Sequence, residues 1–182
     1  MDNKTIFRQN ALKRLQKVAK RGYVIDKRIQ QALYDEITQK RAKRIMLYIP
    51  LGIEVNIMPL IRLLRRENKE LYVPFMEGKS FRLVKYRLPL KVKKFGIKEP
   101  NFSAKHIKNI DIAIVPIVAT DPTLRRVGFG KGMYDRFFEK NKKTIKKTIF
   151  VIRTLYYSRE VITHDHDIIA DMIVSKEGII RQ

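Results

Sequence analysis

The sequence predicts an α/β fold, a single-domain three-layer sandwich in which helices cover both faces of a mainly parallel β-sheet. Three observations lead there. Short apolar runs of strand length, at 45–49, 71–73, 110–115, 149–152 and 172–174, recur along the chain. Segments of helical periodicity separate them, and strands separated by helices pair in parallel, because the crossover returns the chain to the same end of the sheet. No repeat or low-complexity linker divides the 182 residues, so 1–182 is expected to be one domain with a core of its own.

Taken in order, Phe7, Ala11, Leu15 and Val18 recur at helical spacing. Ile29, Ala32, Leu33 and Ile37 repeat the pattern after Asp26, a candidate N-cap, so two amphipathic helices open the chain. Residues 45–49 follow as a buried strand, Ile57, Leu60, Ile61 and Leu64 mark a third helix, and 71–73 the next strand. The basic stretch 79–108 is less regular, with a hairpin expected around 81–86 and then a loop. Residues 110–115 resume the sheet, 133–140 form a helix, 149–152 a strand and 172–174 the last strand.

A hydrophobic fraction of 45% argues against disorder, and the absence of cysteine excludes disulfides and thiolate metal sites. No long apolar run suggests secretion or a membrane span, so a cytoplasmic location is expected. Lys and Arg number 40 against 18 Asp and Glu, a formal charge of +22 that raises nucleic acid as a partner. The charge is spread over Lys13, Arg14, Lys17, Lys20 and Arg21, over Lys85, Arg87, Lys91, Lys93 and Lys94, and over Lys140, Lys142, Lys143, Lys146 and Lys147. Most of these read as solvated faces, and no helix-turn-helix, zinc spacing or aromatic RNA-binding signature accompanies them. A basic RNA- or ribosome-associated binding protein is thus the alternative function, carried by charge alone.

The densest chemistry lies in Arg126-Val127-Gly128-Phe129-Gly130-Lys131-Gly132-Met133-Tyr134-Asp135. Alternating glycines let backbone N–H groups converge on an anion, Arg126 and Lys131 neutralise it, and Asp135 can hold the magnesium that accompanies a nucleotide. A chain-reversing turn needs one or two glycines and neither the cations nor the carboxylate. The segment is not a Walker A loop, since Gly132 rather than Ser or Thr follows Lys131. An apolar run, Asp111-Ile112-Ala113-Ile114-Val115-Pro116-Ile117-Val118-Ala119-Thr120-Asp121, leads in, and Arg136-Phe137-Phe138 leads out.

From Asp111 to Phe138 the chain resembles the signature of the 5-formyltetrahydrofolate cyclo-ligase (methenyltetrahydrofolate synthetase) family. Further motifs resemble that family in family order: Lys4-Thr5-Ile6-Phe7-Arg8, Glu54-Val55, Gly96-Ile97-Lys98-Glu99-Pro100, and His166-Asp167 with Asp171. Leu124 stands where the family usually has glycine, Phe129 where tyrosine or arginine is common, and Met133 where an aromatic is expected. Asn56 is a further departure, after the glutamate.

The resemblance implies a fold like that of the ribose-phosphate isomerase and CoA-transferase group. It implies ATP- and Mg2+-dependent closure of 5-formyltetrahydrofolate, with or without a polyglutamate tail, by a monomer that needs no membrane. Lys4, Arg8, Arg126, Lys131 and the backbone of residues 127–134, which includes Val127, Gly128, Phe129, Gly130, Gly132, Met133 and Tyr134, would bind ATP. Arg126, Lys131 and Tyr134 would act in the transfer, and Asp135 and Asp171 would hold magnesium. Glu54 would orient the folate, with Phe129, Gly130, Lys131, Gly132 and Met133 along its pocket. In an open α/β sheet such residues meet at the carboxyl ends of the strands. Lys4 and Arg8 also fit the exposed face of a first helix, Glu54 a helix cap, Tyr134 the core and Asp171 the surface start of a strand. Asp167 is a weaker candidate, in an outer shell of a hydrogen-bonded His164–Asp167 loop.

Overall fold

A computed structural model describes residues 3–20, 22–93, 98–102, 107 and 109–182. The helices among them are α1 (Asn3–Ala19), α2 (Tyr23–Gln39), α3 (Met58–Arg66) and α4 (Met133–Asn141). The strands are β1 (Arg44–Met46), β2 (Glu70–Glu77), β3 (Ser80–Lys85), β4 (Lys91–Val92), β5 (Lys98–Glu99), β6 (Ile112–Pro116), β7 (Ala119–Thr120), β8 (Arg126–Val127), β9 (Thr148–Val151), β10 (Met172–Ser175) and β11 (Gly178–Arg181). Seven of them form one sheet in the order β11-β10-β9-β6-β1-β2-β3. The five inner strands run parallel, and β11 and β3 are antiparallel edges.

Both faces of this sheet are covered, as the near-continuous apolar runs require. Successive strand residues point to opposite faces. Ile45, Leu47, Ile112, Ile114, Ile149 and Val151 pack with Ile29, Leu33 and Ile37 of α2 and Leu60, Ile61 and Leu64 of α3. Met46, Ala113, Val115, Phe150 and Ile173 pack on the other face with Ala11 and Leu15 of α1 and Phe137 and Phe138 of α4. The three layers and the mainly parallel sheet are those the periodicity predicts.

Three expectations need correction. Asp26 is not an N-cap, because α2 begins a turn earlier behind Gly22; it is a buried residue inside the helix whose carboxylate pairs with Arg153. The exposure of Tyr23 and Val24 breaks the apolar pattern there and hides the true start. Residues 81–86 hold only one arm of their hairpin, since β3 turns back on β2 through Glu77–Ser80 pairing. The chain also continues past the expected last strand into β11, whose mostly exposed residues give no strand signal.

One departure from the family pattern gains a physical meaning. Leu124 has φ 54°, the left-handed region that glycine occupies freely and that costs other residues about 1–2 kcal/mol. Its side chain also packs, half-buried, against the core. Alanine would lose that packing and keep the strain, whereas glycine would lose the packing and relieve it. Leu124→Gly should therefore be more stable than Leu124→Ala by about 1 kcal/mol, the reverse of the usual order. Denaturant unfolding of the two variants measures this, and an alanine variant more stable than the glycine one contradicts it.

Candidate active site

The glycine segment is delivered by a small ribbon. β7 follows β6 at the carboxyl edge of the sheet and pairs with β8, Ala119 opposite Val127 and Thr120 opposite Arg126. The connecting turn is stapled by Asp121, whose carboxylate accepts the Thr123 and Thr163 hydroxyls and the Ile162 and Thr163 N–H groups. Burial pushes its pKa up, but these donors outweigh burial and hold it at about 2. Asp121 is thus a permanent anion that ties the 158–163 loop to the ribbon, and the chain leaves β8 straight into the glycines.

Arg126 is the centre of the site. It is 4% exposed; its Nε donates to the Pro116 carbonyl at 3.1 Å, its Nη1 lies 3.6 Å from Asp135, and its guanidinium stacks 4.7 Å from the Tyr134 ring centroid. A Cβ on Gly128 would overlap this guanidinium, so glycine there makes room for the arginine. Arg8 reaches from α1 to donate through Nε to the Gly128 carbonyl at 2.9 Å, fixing the loop to the first helix. Gly132 takes φ 59° and opens α4, whose first-turn amides face the loop and whose third residue is Asp135.

Two cavities adjoin at Arg126 and Gly132, which line both. The first, about 430 Å3, is polar: Lys4, Arg8, Arg126 and Arg136 face Asp135, Glu139 and Asp167 across Gly128, Gly130 and Gly132. Lys4 is not an exposed helix residue; it is 7% exposed and bonded to the buried Asp167 at 2.5 Å. Asp135 Oδ1 is buried with no hydrogen-bond partner among the described residues, an acceptor whose lone pairs point at no protein donor.

The second cavity, about 210 Å3, is walled by Tyr48, Ile49, Leu51, Pro74, Met76, Phe81, Phe129, Met133 and Tyr134, with Glu54, Lys98, Arg126 and Lys131 as its charged groups. Glu54 Oε2 accepts the Leu51 N–H at 2.8 Å. Withdrawal from water among these apolar walls lifts its pKa from the usual 4.5 to about 7, against the pull of the Leu51 amide, Arg126 and Arg153. Burial, and then the charge of Glu54, raises the Tyr134 phenol far above its ordinary range, so Tyr134 stays protonated at neutral pH.

The raised carboxyl has a sign in stability. The folded protein holds this proton more tightly than the unfolded chain, so the contribution is most favourable below pH 4.5 and is lost as pH rises to about 7. Glu54→Gln, which cannot ionise, should therefore gain thermal stability over the parent at pH 8 and gain little at pH 4.5. Melting curves at the two pH values test this, and an equal shift at both rules out a raised pKa.

A family model for 5-formyltetrahydrofolate cyclo-ligases matches residues 1–176. The chain belongs to the 5-formyltetrahydrofolate cyclo-ligase family. A Haemophilus influenzae protein named 5-formyltetrahydrofolate cyclo-ligase is 33% identical over 127 residues, 64% of this chain and 68% of that protein. A Schizosaccharomyces pombe protein named as a probable 5-formyltetrahydrofolate cyclo-ligase is 29% identical over 161 residues, 78% and 79% of the two chains. The solved structure of Aquifex aeolicus 5,10-methenyltetrahydrofolate synthetase superposes with a TM-score of 0.80 at 28% identity, covering 98% of this chain and 92% of that one. Among the described residues no helix is long and apolar enough to cross a membrane.

In this cyclo-ligase family member the residues expected at the site are mostly gathered, with two exceptions. Lys4, Arg8, Arg126, Gly128, Gly130, Gly132 and Asp135 share the polar cavity; Glu54, Phe129, Lys131, Met133 and Tyr134 share the apolar one. Val127 lines neither, being fully buried in the core behind the loop. Asp171 precedes β10, where its Oδ2 takes the Thr148 N–H at 2.6 Å; it lines neither of these two cavities but shares a third, of about 620 Å3, with Asp135 and Asp167. Asp167 and Glu139 are the other carboxylates that line the polar cavity with Asp135.

Of the Gly96-Ile97-Lys98-Glu99-Pro100 motif, Gly96 and Ile97 lie outside the described residues. Its Glu99 is buried and accepts the Met76 N–H at 2.9 Å, which carries Lys98 to the apolar cavity. Arg136, Tyr48 and Arg153 escaped the sequence reading. Arg136 donates to the carbonyls of Lys79 and Lys131 and so pins the loop to the β2–β3 turn. An arginine in α4 carries no signal of its own, although its place directly after Asp135 was available as one.

Proposed function

We propose that this protein closes 5-formyltetrahydrofolate to 5,10-methenyltetrahydrofolate with ATP and magnesium, releasing ADP and phosphate. The observation that carries the proposal is the adjoining pair of cavities, one cationic and glycine-lined, one apolar with a single raised carboxyl, meeting at Arg126 and Gly132. A triphosphate suits the first and a flat, partly apolar ring system the second.

The formyl group on N5 is an amide, whose resonance makes its carbon a poor electrophile. Phosphorylation of the formyl oxygen removes that resonance; N10 then attacks the carbon, loses its proton, and phosphate departs with the formyl oxygen. Arg126, which lines both cavities, and Lys131, on the apolar side, would meet the γ-phosphoryl group as it passes, and their charge is matched to the charge that develops on it. Lys4 and Arg8, with the amides of Gly128, Gly130 and Gly132, hold the rest of the triphosphate. Glu54, with a pKa of about 7, orients the folate through its N–H groups and is able to take the N10 proton at neutral pH.

Magnesium fits the residues present. Asp135, whose Oδ1 has no hydrogen-bond partner among the described residues, and Asp167, on the lining of the same cavity, would hold it, and when bound it neutralises phosphate charge. Among the described residues no cluster of three or more His, Asp or Glu side chains forms a metal cage, in keeping with a cation held by one or two carboxylates together with phosphate oxygens. Asp171, whose Oδ2 takes the Thr148 N–H, lines a further cavity with Asp135 and Asp167 and is a further candidate carboxylate for the ion.

The test follows the oxygen. Folate labelled with 18O in the formyl group should deliver the label to inorganic phosphate, one atom per turnover. Label appearing in water, or remaining in the folate product, overturns the proposal.

A further inference from the structure

Glu54 does not stand on a regular element. It sits in the irregular connection between β1 and α3, and the peptide groups on either side of it are gripped from elsewhere. Arg153, just past β9, donates through Nη1 to the Ile53 carbonyl at 2.9 Å. Its Nε and Nη2 form a two-pronged bond to Asp26 in α2, at 2.7 and 2.8 Å. Asp26 Oδ2 in turn accepts the Asn56 N–H at 3.0 Å. The Tyr48 hydroxyl donates to the Val55 carbonyl at 2.8 Å. Arg153 and Asp26 are 5% and 4% exposed, and a Cβ on Gly22 would come within 2.5 Å of Arg153 Nε, so glycine at the start of α2 leaves room for the pair.

A buried ion pair is poor at adding stability, because desolvating both charges offsets most of their attraction. Neither residue lines the polar or the apolar cavity. What the pair does supply is geometry: one planar fork and one carboxylate join α2, the end of β9 and both flanks of Glu54. We propose that Asp26 and Arg153 are positioning residues, a buried brace that sets the loop carrying Glu54 and thereby the affinity for the folate rather than for the nucleotide. This rests on the reading of Glu54 as the folate-side carboxylate. Arg153 also acts on Glu54 by its charge, so removing it should leave Glu54 harder to ionise.

The experiment compares four variants of the whole protein by binding of 5-formyltetrahydrofolate and of ATP–magnesium, and by the pH profile of folate kcat/KM. Arg153→Lys keeps the charge and loses the fork. Asp26→Leu/Arg153→Met removes both charges without stranding either. Gly22→Ala keeps both charged residues and pushes the guanidinium from its place, a smaller change than removing either group. Glu54→Gln tests the underlying reading.

The brace predicts folate affinity reduced about 10- to 100-fold in Arg153→Lys and in the double variant, a smaller loss in the same direction for Gly22→Ala, and ATP affinity within about 2-fold of the parent. It also predicts that the pH inflection near 7 moves upward in the double variant and vanishes in Glu54→Gln. If Glu54→Gln weakens folate binding while folded brace variants bind folate normally, the brace is overturned and the site reading survives. Unchanged folate binding in Glu54→Gln overturns the reading and the brace with it. Folate and ATP affinities that fall together make the pair a fold element only, which also overturns the brace.

Discussion

Arg126→Met should turn over close to 10³-fold more slowly than the parent, and Lys131→Ala about 10²-fold, the range seen when a preorganised electrostatic group is removed. The ordering follows from burial. Arg126 is almost fully enclosed and fixed by Pro116, Asp135 and Tyr134, so its charge acts through a medium that screens weakly. Lys131 lies on the exposed crest of the loop, where water competes. Because the effect falls on charge that grows during transfer, kcat should drop more than ATP affinity in both variants. Steady-state kinetics on variants that melt cooperatively provide the check. A Lys131 variant slower than the Arg126 variant would contradict the assignment of Arg126 as the junction of the two cavities.

The second large effect is at Glu54. Glu54→Gln keeps shape and removes both the charge and the capacity to move a proton, a loss of about 10²- to 10⁴-fold in kcat/KM for the folate. ATP affinity should barely change, since Glu54 lines only the apolar cavity. Asp135→Asn should show the opposite division, raising the magnesium concentration needed for half-maximal rate while leaving folate affinity near that of the parent. Titrating each variant with folate, ATP and magnesium in turn separates the two, and equal small effects on all three ligands would mean that the cavities do not divide the work in this way.

Much of this site was legible in the chain because its chemistry is local. The glycines, Arg126, Lys131 and Asp135 occupy ten consecutive residues, and a strand before them with a helix after them dictates where they sit. The three layers were legible for a similar reason: inner parallel strands such as β6 and β9 are buried at every position and almost wholly apolar, while the helices keep one apolar stripe. What remained hidden depends on distance. Asp26 and Arg153 are 127 residues apart, and an aspartate before an apolar run reads as a cap unless its partner is known. Asp167 and Asp171 lie in one motif, but only the fold tells that the first joins Lys4 in the cavity and the second ties β10 to β9. The left-handed Leu124 is a clash between one residue and one backbone angle, visible only once the turn is built.

The central claim is that the polar and apolar cavities are halves of a single phosphoryl-transfer site, and the most direct measurement follows the absorbance of 5,10-methenyltetrahydrofolate while ADP is quantified in the same sample. With 5-formyltetrahydrofolate, ATP and magnesium, the account predicts methenyl product and ADP in equal amounts, and neither when any of the three is withheld. Methenyl product formed without nucleotide, or ADP released without folate at the same rate as with it, would contradict it.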